Sequence, residues 1–179
     1  ELLNEPGDLR TAPTEDAMRP RLLEYYRAAY TIVRDRQPDL VLVICVLYWF
    51  DYWAWARELR EPDFYNVVLD MHMYTAFDGF TVASTDEQVV RAAHGFGCRI
   101  LSHAYHHPAI VGEWSLAVDA GGAKVKQAFV DAQINSFSYA LGSFFWTLRM
   151  DSGAHMGERD GETDATVGPS PQWDLVQAV

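Results

Sequence analysis

The sequence predicts an α/β fold, a partial (β/α) barrel of about five parallel strands with flanking helices. Three observations carry that expectation. Short apolar runs alternate with longer stretches at helical spacing from one end of the chain to the other. The run over residues 40–47 lacks polar alternation, the mark of a strand buried on both faces. The length also fits: an eight-unit barrel takes about 250 residues, or about 31 per unit, so 179 residues hold roughly five to six units. Alternating strand and helix imply right-handed βα units on a parallel sheet. A chain of this size is expected to form one domain over residues 1–179.

The elements follow in order. Residues 1–4 read as the end of a first strand. Residues 16–36 place Leu22, Leu23, Tyr26, Ala29, Tyr30 and Val33 at helical spacing, and Pro38 stops that helix. Residues 40–47 form the second strand, and the aromatic stretch 48–55 follows it. Residues 66–74 repeat the strand signal in Val67, Val68 and Leu69, and a cap at Thr85 or Ser84 opens a helix over 86–101. Residues 109–113 are the next strand, about 123–139 the next helix, and 143–148 the last strand. The glycine-rich polar stretch 151–171 has no period and reads as irregular loop. A short helix is expected over 172–179. No short internal repeat is present.

Composition narrows the function classes. Apolar residues make up 49% of the chain and charged residues 22%, enough core material to exclude intrinsic disorder. Twenty-five acidic against 14 basic residues leave a net charge of −11, with a pI near 4.8. Nucleic-acid backbones and anionic membranes need clustered Lys and Arg, so neutral or cationic ligands are expected. The longest apolar run, residues 40–50, is far short of the roughly 20 residues that span a bilayer. No charged-then-apolar signal peptide precedes it. Two cysteines, Cys45 and Cys98, are too few for a disulfide scaffold and leave one bridge open. The chain begins at Glu1 without an initiator Met and enters an apolar run at once, which reads as a piece of something longer.

Three predicted strands end in polar groups: Asn4-Glu5-Pro6, His72-Met73-Tyr74 and Glu113-Trp114-Ser115. Barrel enzymes place catalytic groups at the C-terminal ends of strands, so Glu5 and Glu113 are a candidate catalytic pair. Paired carboxyls are what glycoside hydrolysis needs: one protonates the leaving oxygen and the other attacks the anomeric carbon or activates water. Trp49, Trp53, Trp55, Phe77, Trp114 and Trp146 crowd the same strand ends and offer flat faces for sugar rings. The stretch 48–55 fits either a sugar platform or plain packing. His103, His106 and His107 have a spacing that puts imidazoles on one helical face. Histidines near a helix C-terminus also suit the macrodipole, and no metal is assigned to them. No cofactor is expected. His94 and Cys98 are expected to pack, and His155 to lie in loop.

At these residues the chain resembles glycoside hydrolase family 5, and within it the exo-β-1,3-glucanases. The likeness rests on Glu1-Leu-Leu-Asn-Glu-Pro6, Val67-Val-Leu-Asp-Met-His-Met-Tyr-Thr-Ala-Phe77, Ile110-Val-Gly-Glu-Trp-Ser115, Phe144-Phe-Trp-Thr-Leu148 and Pro171-Gln-Trp-Asp174, in that order over essentially the whole chain. The resemblance implies Glu5 as general acid/base and Glu113 as nucleophile of a retaining mechanism. It implies Asn4 on the sugar 2-hydroxyl, His72 and Tyr74 lining the cleaved-sugar site, Phe77 at the pocket entrance and Trp146 under the nonreducing sugar. β-Glucan or an oligosaccharide is the implied ligand, and an extracellular or secretory-pathway location is implied with it.

In that family Asn-Glu-Pro ends the fourth strand. The resemblance therefore implies the second half of a TIM-barrel-type fold, without strands one to three and their active-site arginine and histidine. Both sheet edges would then be open, a liability that calls for a second chain, a second copy or a covering loop. Two function classes follow. One is a portion of a retaining β-1,3-glucan hydrolase. The other is a non-catalytic, glycosidase-derived structural or interaction module within a larger assembly.

Overall fold

The computed structural model describes residues 1–6, 15–45, 55, 57–75, 85–117 and 126–148. The predicted loop 151–171, the helix 172–179, the 171–174 segment, Trp49, Trp53, Phe77 and His155 lie outside them. Helix α1 (Glu15–Arg36) is followed by strands β1 (Leu42–Cys45) and β2 (Val67–Met73), helix α2 (Asp86–Ala104), strand β3 (Ala109–Trp114), helix α3 (Lys126–Phe137) and strand β4 (Ser143–Phe145). The four strands form one parallel sheet in the order β1-β2-β3-β4. Neighbours in space are neighbours in sequence, so right-handed crossovers put the helices on one face, as in a barrel wall and unlike a doubly wound sheet.

Local chemistry sets these elements. Thr85 opens α2 with a capping box: its side chain accepts from the Gln88 backbone N–H, and the Gln88 side chain accepts from the Thr85 N–H. Arg34 and Arg36 sit in the last turn of α1, where cations oppose the carbonyl end of the helix dipole. Arg34 also spans 2.6 Å to the Leu40 carbonyl and 2.7 Å to the Tyr65 carbonyl. Its guanidinium lies 4.7 Å from the ring centres of Tyr30 and of Tyr65. One side chain thereby fastens the end of α1 to the entry of β2.

The core lies between the helices and one face of the sheet. Leu22, Leu23 and Tyr26 of α1, Val89, Phe96 and Ile100 of α2, and Phe129 and Phe137 of α3 pack on Ile44, Leu69, Met71, Met73 and Val111. In β2 the apolar residues 69, 71 and 73 face this core, so the alternation of a strand turns Asp70, His72 and Tyr74 to the opposite face. The site is built on that second face.

Several expectations are corrected. Residues 1–4 do not form a strand; they lie beside β1 through one bond, from the Leu2 N–H to the Val43 carbonyl at 3.1 Å. Trp55 is not a sugar platform: it is 1% exposed and meets Tyr26 edge-on in the core. Trp114 packs edge-on against Phe137 and Phe145 instead of facing solvent. Cys45 is buried in β1 and Cys98 is exposed on α2, and they form no disulfide. His94 is exposed as well. The α2 helix ends at Ala104, so His106 and His107 lie in the turn beyond it and do not share a helical face with His103. His107 is buried, and its Nε2–H donates to the Glu58 carbonyl at 2.6 Å. Burial pushes its pKa below the ordinary imidazole value, against that hydrogen bond.

Candidate active site

Glu5, His72, Tyr74 and Glu113 come together at the C-terminal ends of the strands, with Asp70 beneath them. His72 is the hub. Its side chain is 5% exposed, and its Nδ1–H donates to Glu5 Oε1 at 2.6 Å. Glu113 Oε2 lies 3.5 Å from the same nitrogen. One N–H serves one acceptor well, so Glu5 takes the hydrogen bond and Glu113 feels mainly the charge. Glu113 Oε2 instead accepts from the Tyr74 hydroxyl at 2.6 Å. On the other side of the ring, His72 Nε2 is 3.7 Å from Asp70 Oδ2.

The charges follow from this geometry. Burial alone would lower the pKa of His72, but the Asp70 and Glu5 contacts and the Glu113 charge overturn it and raise the value to about 10. The imidazole is therefore a cation at neutral pH, held among the carboxyl groups of Asp70, Glu5 and Glu113. Burial raises the pKa of Glu113 above the ordinary carboxyl value; the Tyr74 hydrogen bond and the His72 charge oppose that rise, while Glu5 and Asp70 add to it.

One carboxylate oxygen each of Glu5 and Glu113 and a nitrogen of His72 lie within 4.8 Å of one another. Glu1, Cys45 and His72 form a second group at the same spacing. By distance either group could hold a divalent cation, and Glu1 sits at the solvent side of the second. The oxygens of the first group are already engaged by the His72 and Tyr74 protons.

Glu5 itself has φ 40, a left-handed conformation that costs a non-glycine residue energy and that clusters at functional sites. Pro6 follows it directly. Asn4 precedes it and is exposed. Trp146, just past β4, is 44% exposed. Its backbone N–H donates to the Trp114 carbonyl at 2.8 Å, which ties it to the residue after Glu113. Phe77 lies outside the described residues. Sequence reasoning passed over Asp70, although the period of two in Asp70-Met-His72-Met-Tyr74 places it on the same face as the two residues it did select.

Comparison with known proteins bears on the fold and on the broad family. No protein-family model matches the chain. It is 25% identical to the probable glucan 1,3-beta-glucosidase A of Aspergillus terreus over 96% of this chain and 48% of that protein. It is 22% identical to glucan 1,3-beta-glucosidase 1 of Schizosaccharomyces pombe over 87% of this chain and 40% of that protein. An uncharacterized glycosyl hydrolase of Saccharomyces cerevisiae is 27% identical over 72% of the chain. The likeness supports a glycosidase family. The crystal structure of AoRut superposes with a TM-score of 0.61 at 21% identity, over 83% of this chain and 41% of that one. That match supports the α/β fold. The chain thus spans about half or less of the length of the curated relatives it matches.

Proposed function

We propose that this chain carries the catalytic pair of a retaining glycosidase that acts on β-1,3-glucan. The observation that carries the reading is the approach of Glu5 and Glu113 from different segments, with an oxygen of each within 4.8 Å of the other. Retaining enzymes hold their two carboxyls about 5–5.5 Å apart, whereas inverting ones leave about 6.5–9.5 Å for a water. The names of the fungal relatives supply the substrate class.

In this reading Glu5 enters the cycle protonated on the oxygen that His72 does not engage; Glu113 attacks the anomeric carbon as the bond to the leaving oxygen breaks, and Glu5 gives that oxygen its proton. A water then loses a proton to Glu5 and displaces Glu113, which restores both groups. Burial opposes the ionised form of Glu113 that attack requires, and the Tyr74 hydroxyl and the His72 charge counter that opposition. By resemblance to the family 5 exo-β-1,3-glucanases, Asn4 serves the sugar 2-hydroxyl, His72 and Tyr74 line the cleaved-sugar site, Phe77 stands at the pocket entrance and Trp146 lies under the nonreducing sugar.

The test is turnover of laminarin by the protein and two variants. Glu113→Gln should abolish hydrolysis and keep sugar binding, while Trp146→Ala should mainly weaken binding. Undiminished hydrolysis by Glu113→Gln would sink the assignment.

A further inference from the structure

Strand β3 carries one residue more than either neighbour allows. Against it, β2 advances two residues, from Asp70 to His72, while β3 advances three, from Ile110 to Glu113. On the other side β3 again advances three, from Val111 to Trp114, while β4 advances two, from Ser143 to Phe145. Both registers place a bulge within residues 111–113. Its effect is directional. In a regular strand, Glu113 would share a face with Val111, which is 0% exposed in the core. The extra residue reverses the alternation, pairs Glu113 with His72 and turns it to the face that carries the site.

The bulge has a clamp. Asp70 Oδ1 accepts the Gly112 backbone N–H at 2.7 Å. A Cβ on residue 112 would overlap Asp70 Oδ1, Oδ2 and Cγ, so only glycine admits the carboxylate there. The other oxygen, Oδ2, faces His72 Nε2 at 3.7 Å, and the Asp70 side chain is 6% exposed. A carboxylate that deep needs partners, and it has one on each strand.

We propose that Asp70 is the positioning residue of this site: it clamps the Gly112 bulge with one oxygen and faces the His72 imidazole with the other, which sets Glu113 opposite Glu5. Asp70 touches no reacting atom. It acts on Glu113 through the backbone of β3 and on Glu5 through His72. The inference deepens the glycosidase reading and rests on it for its kinetic arm, but not for its spectroscopic one.

The experiment compares the protein with Asp70→Asn and Asp70→Ala, using laminarin kinetics, thermal unfolding and NMR titration of His72. Asn keeps a carbonyl to accept the Gly112 N–H and drops the charge beside His72, so its fold should be retained. Its kcat should fall about 10-fold with KM nearly unchanged, because placement and not sugar affinity is altered. The Ala variant drops both contacts and should lose about 100-fold in kcat. Glu1, Glu5 and Glu113 also face His72, yet Asp70→Asn alone should move its titration down from near 10. Unchanged kcat and unchanged His72 titration in Asp70→Asn would overturn the proposal. If the unaltered protein hydrolyses no β-1,3-glucan, the glycosidase reading fails by itself. The His72 titration then decides the role of Asp70: a shift in Asp70→Asn supports the proposal, and no shift overturns it.

Discussion

His72 places a nearly solvent-free imidazole against Glu5, Asp70 and Glu113, and the consequence is a pH dependence of the fold itself. Burial opposes its charge, but the Asp70 and Glu5 contacts prevail and lift the pKa from 6.5 to about 10. A group that binds its proton more tightly when folded stabilises the fold fully below its unfolded value and loses that contribution as pH rises through its folded one. The contribution is therefore complete below about pH 6.5 and vanishes on the way past 10. Glu113, also raised through burial, has the same sign in the acid range: its contribution is present below the ordinary carboxyl value and is lost as pH rises through the folded one. Unfolding midpoints should fall between pH 7 and 10, and His72→Gln should flatten that slope. An identical slope in both proteins would show that the imidazole is not held as a cation.

The elements were legible where a period was visible and illegible where a single residue broke one. Leu22, Leu23 and Tyr26 lie on the buried stripe of α1, and Val67, Leu69, Met71 and Met73 on the buried side of β2, because helix and strand periods write themselves into apolar spacing. The bulge in β3 has no such trace: Val111-Gly112-Glu113 reads as ordinary strand, and only the pairing with β2 and β4 reveals the extra residue. Trp55 shows the other limit, since an aromatic in a run of aromatics has no period to say whether it meets sugar or Tyr26. The Arg34 clamp was likewise hidden, because its acceptors are backbone carbonyls at residues 40 and 65. Lysine cannot reproduce its planar fork or its contacts with the faces of Tyr30 and Tyr65. Arg34→Lys should cost about 2 kcal/mol, measured by denaturant unfolding. A loss within error of zero would mean that the clamp is cosmetic.

At the scale of the molecule, the helices line one face of a sequentially ordered parallel sheet, and the polar groups gather on the other at the strand ends. That is how a barrel wall presents a site. Among the described residues the outer edge of β1 receives one bond from Leu2, while β4 leaves Phe144 60% exposed. The expected covering of both edges by a second chain, a second copy or a loop stays a proposal, and with it the module reading that such a surface would serve. The chain's matches span 48% and 40% of two fungal relatives, so activity belongs to the test.

The central claim is that Glu5 and Glu113 form a retaining pair, and proton NMR of the newly released sugar tests it most directly. During laminarin hydrolysis the anomeric signal of β-glucose should appear first, with α-glucose following only by mutarotation, and Glu113→Gln should release neither. Early α-glucose would mean an inverting site, and β-glucose released at an undiminished rate by Glu113→Gln would place the nucleophile elsewhere.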